Sequence, residues 1–382
     1  MSRELSQKRV VNFMKINREG EDNHTIHILQ RIGSPTGTNQ VNFGNPLASF
    51  KDIHKEFECA WANRIGLLYL LSIPEQKLPM DLLAKRMNLQ ERESKTLNVV
   101  SRISLALQEG GFRHVIFKSI RPFPFTPNDT DVLILEPPKR FGEVTCYLLD
   151  YGYKLLGYAP LQTLLYDPAG EGKVNIKKDG GIYYIDLYRS AGSDYFIYLD
   201  SRYATTQLNF VRIFDVEIPL LCPELELAVL LYHNVFPENT YHLEHFYLIM
   251  YYLYGKQKID TLEFVKQVRR NHFVIPVRAN LSITSRLHEM AFGYAPERLI
   301  EILDIIGKDV LGVQQLERHN YRIPYYFHPR TFICSALAKL VEWPSFRSLF
   351  VQGFYMLRPR FMRNALLALL KRIKGYGVYE QK

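Results

Sequence analysis

Cysteine is scarce in this chain, and its four copies are scattered. Cys59, Cys146, Cys222 and Cys334 form no CxxC pair and have no histidine at metal-ligand spacing. This argues against a zinc site or a disulfide framework and suits a reducing cytoplasm. Long apolar runs are missing too. The stretch FYLIMYYLY at 246–254 is well short of the roughly 20 residues a spanning helix needs, so no transmembrane segment is expected. The opening residues, MSRELSQKRVVNFMKINREGEDN, lack the apolar core of a signal peptide. No internal repeat or low-complexity tract is present. Acids are the minority charge: 39 Asp and Glu against 48 Lys and Arg leave a net +9. That balance favours an anionic partner, whether nucleic acid, nucleotide or an acidic membrane surface.

What is present is an ordinary globular composition, 47% hydrophobic and 23% charged, with many aromatics (25 Tyr and 23 Phe). A length of 382 residues suits two or three domains. Residues 1–47 read as a polar lead-in punctuated by SPTGTNQ and NFGNP. Residues 48–93 read as helical: one helix over 49–72, then a short one at MDLLAKRMNL (80–89). A longer helix, SKTLNVVSRISLALQEGG (94–111), stops at Gly-Gly. Strands are expected at HVIFKSI (114–120), DTDVLIL (129–135), GGIYYIDLYRS (180–190) and FVRIFDVEI (210–218). A helix is expected over 141–157, ending near Gly152 or Gly157. Residues 219–382 read as a helical domain. The order predicts an α+β fold, with a small mixed sheet in a core spanning 94–218 between helical regions.

The acids are the chemical signal. In a strand, residues i and i+2 share a face, so Asp129 and Asp131 point the same way, about 6–7 Å apart at the Cα atoms. Two such carboxylates repel each other unless something positive lies between them, and a pair of Mg²⁺ ions suits that spacing. The plainer alternative is a turn at Asn128-Asp129 with Asp131 at a solvated strand start. Asp186 interrupts the apolar and aromatic strand YYIDLY, where a lone acid is costly unless paired or metal-bound. A salt bridge to Arg189 would be one such pairing. If the two strands are neighbours, three carboxylates converge.

The order SKTLNVVSRISLALQEGG, HVIFKS, loop, DTDVLIL, helix, IDLY resembles the nucleotidyltransferase fold of the DNA polymerase beta-like superfamily, in particular its prokaryotic branch. The resemblance covers roughly residues 94–235. It implies that Asp129, Asp131 and Asp186 bind two Mg²⁺ ions and that Asp186 helps deprotonate an acceptor hydroxyl. It also implies that an NMP moves from an NTP to that acceptor. Lys118 and Ser119 fall where the family has Gly-Gly or Gly-Ser, and they would contact the nucleotide's phosphates. One glycine of the pattern is therefore replaced, and Tyr188 stands where a histidine is usual. In PELELAVLLYHNVF, Glu224 and His233 match positions that relatives often carry, although Pro-Glu is also an ordinary helix opening and a lone histidine is often structural.

Two basic stretches with interleaved aromatics, VKQVRRNHF (265–273) and LRPRFMRNALLALLKRIKGYG (357–377), suit single-stranded RNA. The second also suits an anionic membrane surface. RNA is thus the favoured acceptor, with protein or a small molecule as alternatives. A different class of function, a winged helix-turn-helix DNA-binding regulator, fits residues 65–112, with DLLAKRMNL as the first helix of the motif. A nucleotidyltransferase-like protein that binds nucleotide or RNA without activity is the third reading.

Overall fold

The computed structural model describes residues 24–37, 50–159, 161–170, 181–193, 196–256 and 258–356. Helix α1 (His24–Ile32) falls within the expected polar lead-in, where Ile28 and Leu29 nonetheless insert fully into the core. The single helix expected over 49–72 is two, α2 (Phe50–Ala62) and α3 (Gly66–Leu71). The break is at Arg64, whose φ of 62° lies in the left-handed region that no helix continues through. Asn63 fastens this corner by donating to the Cys59 and Ile323 carbonyls.

The two helices expected at 80–89 and 94–111 are one, α4 (Met80–Glu109), 30 residues long. The residues between them, QERE, include no helix breaker, and Glu91 and Lys95 pair at 2.7 Å one turn apart. The turn that a helix-turn-helix requires in this segment is therefore absent. The helix ends where expected, before Gly111, whose φ is 68°.

Strand β1 (His114–Ile116) and β2 (Thr130–Ile134) follow, then α5 (Phe141–Asp150). Of the two expected stops for α5, Gly152 is the one the chain uses; beyond it the chain turns back through a hairpin, β3 (Lys154–Ala159) and β4 (Gln162–Tyr166), which takes in Gly157. Next are β5 (Tyr184–Tyr188), the small ladder β6 (Ala191–Ser193) with β7 (Phe196–Leu199), and the short helix α6 (Ser201–Ala204). The single strand expected at 210–218 is the hairpin β8 (Leu208–Ile213) and β9 (Val216–Leu221), closed at Phe214 with φ 52°. Neither turn residue is a glycine, so the reversal has no strong sequence signal.

Seven strands make one mixed sheet in the order β3-β4-β5-β2-β1-β9-β8. The pairs β2/β5 and β1/β9 are parallel and the rest are antiparallel. Helices α4 and α5 cover one face through Val99, Ile103, Leu107, Val144 and Leu148, packed on Ile116, Val132, Ile134, Ile185 and Leu187. The other face meets a helical layer: α7 (Pro223–Val235), α8 (Leu243–Tyr254), α9 (Thr261–Arg270), α10 (Val274–Phe292), α11 (Glu297–Ile306), α12 (Val310–Arg318), α13 (Pro329–Lys339) and α14 (Trp343–Met356). A two-strand ladder, β10 (Thr240–Tyr241) with β11 (Tyr325–Tyr326), ties its two ends. Helix α10 is its axis and packs against α1, α7, α8, α9, α11, α12 and α13. Phe246 and Tyr247, from the aromatic run of α8, are fully buried as core. Among the described residues no helix is long and apolar enough to cross a membrane. The basic stretch 357–377 lies outside the described residues.

The continuity of α4 has a direct test. Ser94 is exposed in mid-helix, so Ser94→Pro should cost about 3 kcal/mol and lower the melting temperature relative to Ser94→Ala. Equal melting curves for the two variants would mean a turn at this point.

Candidate active site

Val132 and Ile134 of β2 and Ile185 and Leu187 of β5 belong to the core beneath α4 and α5. Alternation along each strand therefore turns Asp131 and Asp186 towards the helical layer. The two strands are parallel neighbours, and Asp131 and Asp186 are register partners, placing their Cα atoms at about the 4.8 Å strand spacing. They are 7% and 9% exposed. Asp129 lies one residue before β2, half-buried at the strand mouth. The expected adjacency of the two strands is thus present and joins Asp131 to Asp186, while Asp129 stands at the rim.

Each of the two buried acids has a protein partner. The Lys118 ammonium is 3.2 Å from Asp131 Oδ1 and sits 4.8 Å above the rings of both Phe117 and Tyr188. Gln162 on β4 donates to Asp186 Oδ2 at 3.1 Å. The salt bridge to Arg189 considered for Asp186 is replaced by this amide contact. Ser119 Oγ accepts the Asp131 backbone N–H at 2.7 Å and donates to the Phe117 carbonyl. Lys118 and Ser119 therefore wrap the end of β1 around the start of β2. Tyr188 also faces the acids, and burial, then Asp131, drives its phenol pKa well above the ordinary value.

Lys118 has a φ of 62°. That is the left-handed region glycine occupies at little cost and other residues at roughly 1–2 kcal/mol. It is also the position at which the resemblance expects glycine. The backbone here takes a shape that suits glycine, and the lysine side chain is spent on Asp131.

Behind this pair stands Glu226 on α7. Its Oε1 accepts the Lys118 backbone N–H at 2.8 Å, and its Oε2 has no hydrogen-bond partner. Burial pushes its pKa up to about 7, against the lowering effects of the Lys118 amide, Arg121 and Lys118, with Asp131 adding to the rise. A second shell of charge surrounds it. Arg121 donates to Glu244 Oε1 at 3.1 and 3.0 Å and to the Lys118 carbonyl at 2.6 Å. Glu244 also lies 3.7 Å from Arg64, which pairs with Glu238 at 3.1 Å. Burial opposes the Glu244 charge, but Arg121, His245 and Arg64 outweigh it and hold the pKa below the ordinary value. The loop after β1, the α2–α3 corner and the start of α8 are thereby locked together.

The two weaker candidates fare differently from the acids. Glu224 accepts the Asp260 amide at 2.9 Å, which ties α7 to the start of α9. Glu226, two residues on, is the acid that reaches Lys118, and its signal was present as a charge inside the apolar run LELAVLL. His233 is half-buried, with Nδ1 3.3 Å from the Tyr198 hydroxyl. Burial, then Lys118, Arg64 and Arg121, lower its pKa well below the ordinary value, so it is neutral at pH 7. Gln162, Arg121 and Glu244 were not legible as site residues, because only the strand order brings them there. The basic stretch 265–273 packs with Val265 and Val268 inward, and Arg270 lies 3.9 Å above the Tyr203 ring.

Among the described residues no group of three His, Cys, Asp or Glu is gathered closely enough to hold a metal ion by itself. The donor chemistry of the Asp131–Asp186 pair nevertheless fits Mg²⁺, which binds through one or two carboxylates together with substrate phosphates and water. Comparison with family models, with curated proteins and with solved structures finds no match.

Two expectations follow from this geometry. Lys118→Met leaves Asp131 buried beside Asp186 without its cation and should cost roughly 3–5 kcal/mol in urea denaturation. Adding Asp131→Asn should recover much of that loss, whereas additive effects in the double variant would show that the pair is not coupled. For Glu226, a folded pKa of about 7 against an ordinary 4.5 means its contribution favours the folded state fully below pH 4.5 and is lost as pH rises through 7. Wild type should therefore lose up to about 3 kcal/mol between pH 4.5 and 8 that Glu226→Gln does not. Parallel stability profiles for the two proteins would contradict this.

Proposed function

We propose that the protein is a Mg²⁺-dependent nucleotidyltransferase that moves an NMP from an NTP to a hydroxyl acceptor, with RNA favoured. The observation that carries this reading is the register pairing of Asp131 with Asp186 on one face of β2 and β5, beside a lysine in glycine-like backbone conformation at the end of β1. Asp131 and Asp186 would hold the ion, with Asp129 at the mouth completing its shell once substrate is present. Mg²⁺ bound there would offset charge on the phosphates and on the attacking and leaving oxygens.

The chain's own residues have definite parts. The acceptor oxygen forms a bond to the α-phosphorus, the bond to the bridging oxygen breaks, and pyrophosphate leaves. Asp186 receives the acceptor's proton. Lys118 and Ser119 lie at the strand end nearest Asp131, and the ammonium of Lys118 exchanges Asp131 for a phosphate oxygen when nucleotide enters. The helical layer excludes water from the acids and strengthens these interactions. The excess of basic residues, net +9, supports a polyanionic acceptor.

One observation favours a second reading, a protein that binds nucleotide without transferring it. Lys118 already neutralises Asp131, and such a pair can persist as structure alone. The two readings separate in one assay. Protein is incubated with each α-labelled NTP, Mg²⁺ and total RNA, alongside Asp131→Asn. The expected result is label on RNA with the native protein and a loss of at least about a thousand-fold in the folded variant. Label on the protein would name a protein hydroxyl as acceptor. Equal transfer by Asp131→Asn would overturn the assignment, and Mg²⁺-dependent NTP binding without any transfer would favour the second reading.

A further inference from the structure

Helices α13 and α14 are arranged in reverse for helices on a water-facing surface. The buried residues of α13 are Thr331, Ser335 and Lys339, and those among the described side chains of α14 are Ser345 and Ser348. These polar groups are matched on the inside. Ser345 Oγ donates to the Ile197 carbonyl of β7 at 2.7 Å, and the Ile197 amide donates to Ser348 Oγ at 3.1 Å. Lys339 Nζ donates to the Asn271 carbonyl at 2.8 Å and pairs with Glu342. The large apolar side chains lie on the outside. Ile333, Leu337, Val341, Trp343, Phe346 and Leu349 are 36–70% exposed. The Trp343 and Phe346 rings stack at 6.0 Å, one helical turn apart. Phe332 is the partial exception, half-buried beside Phe236.

A surface helix normally turns its apolar stripe to the core and its polar residues to water. Serines inward and aromatics outward reverse that order, and exposed apolar faces of this kind mark interaction surfaces. Charge selects the partner. Residues 329–382 hold ten Lys and Arg against two acids, Glu342 and Glu380, a net of +8, so residues 1–328 hold only +1 of the chain's +9. Arg330 and Arg347 are exposed on the two helices, and six more basic residues lie in LRPRFMRNALLALLKRIKGYG at 357–377. A second copy of the chain would bring the same positive charge to the same face, and the chain's own C-terminal residues carry the like sign, so charge disfavours both. RNA matches the charge and would stack on Trp343 and Phe346, but it offers nothing to Ile333, Leu337, Val341 and Leu349. A lipid surface with anionic headgroups matches the charge and the aliphatic side chains together.

We infer that the outward face of α13 and α14 is a docking surface for an anionic membrane. Ile333, Leu337, Trp343 and Phe346 enter the boundary between headgroups and acyl chains, and Arg330 and Arg347 meet the headgroups. The basic residues of 357–377 add electrostatic attraction. The chain rests on the bilayer through this face. This docking is independent of the chemistry at β2 and β5.

The test is flotation of the full chain with vesicles of phosphatidylcholine alone and of phosphatidylcholine with about 30% phosphatidylglycerol. Binding to the anionic vesicles should be at least about ten-fold tighter and should weaken as salt rises. Leu337→Ser with Phe346→Ser alters two exposed positions, so its melting curve should match the native one while its binding to anionic vesicles falls about ten- to a hundred-fold. In Trp61→Phe, Trp343 is the sole tryptophan, and its emission should move to shorter wavelength on the anionic vesicles as the indole leaves water. Equal binding to both vesicle types, undiminished binding by the double variant, or unchanged Trp343 emission in the vesicle-bound protein would overturn the inference. So would the absence of vesicle binding. A concentration-dependent dimer lost in the double variant would then assign the face to a second copy, and RNA binding lost in that variant would assign it to RNA.

Discussion

The Lys118–Asp131 ion pair is the constraint around which this molecule is organised. Two carboxylates on neighbouring strands, both turned into a layer of helices, would repel each other strongly without a compensating charge. Lys118 supplies that charge, held by the rings of Phe117 and Tyr188 and by a left-handed backbone that curls the chain back over β2. Its amide in turn positions Glu226, and its carbonyl anchors Arg121. From Arg121 the chain of charge runs through Glu244 to Arg64 and Glu238. The sheet and the helical layer therefore meet across ion pairs and hydrogen bonds as well as apolar contacts. A buried network of this kind is a poor source of net stability, but it holds each member in one place.

The same network explains why the chain tolerates lysine at a position whose backbone suits glycine. The strain at φ 62° is modest beside the cost of an uncompensated buried carboxylate. The price is that the ammonium occupies the space a metal or phosphate would share with Asp131. On the proposed reading, substrate entry would be an exchange of partners, with the aromatic rings flanking Lys118 leaving its charge partly satisfied during that exchange.

Much of the core was readable because the relevant rules are local. The strand at 130–134 followed from a β-branched apolar run, and the facing direction of Asp131 and Asp186 followed from the two-residue period. The helix stop at Gly110-Gly111 followed from glycine's conformational freedom. What was misread turned on signals that local rules do not carry. The residues QERE suit both a solvated turn and a long helix, and packing of α4 along the sheet decided for the helix. The reversal at Phe214 has no glycine to announce it, and the break at Arg64 is held by Asn63, through its bonds to Cys59 and the distant Ile323. Glu224 was the candidate because the resemblance places an acid there, yet the pitch of α7 directs Glu226 to the site.

By itself the sequence determined which strands carry acids, which side of each strand those acids share, and that the excess charge is positive. Residue type and a two-residue repeat are enough for that. Only the tertiary structure decided that β2 and β5 are parallel neighbours in a register that sets Asp131 beside Asp186. It also decided that Lys118, Gln162 and Glu226 are their company. Those choices belong to the strand order β4-β5-β2-β1 and to the helix laid across it. Residues scores of positions apart become neighbours only when the sheet closes, and the cost of burying their charges is met only then.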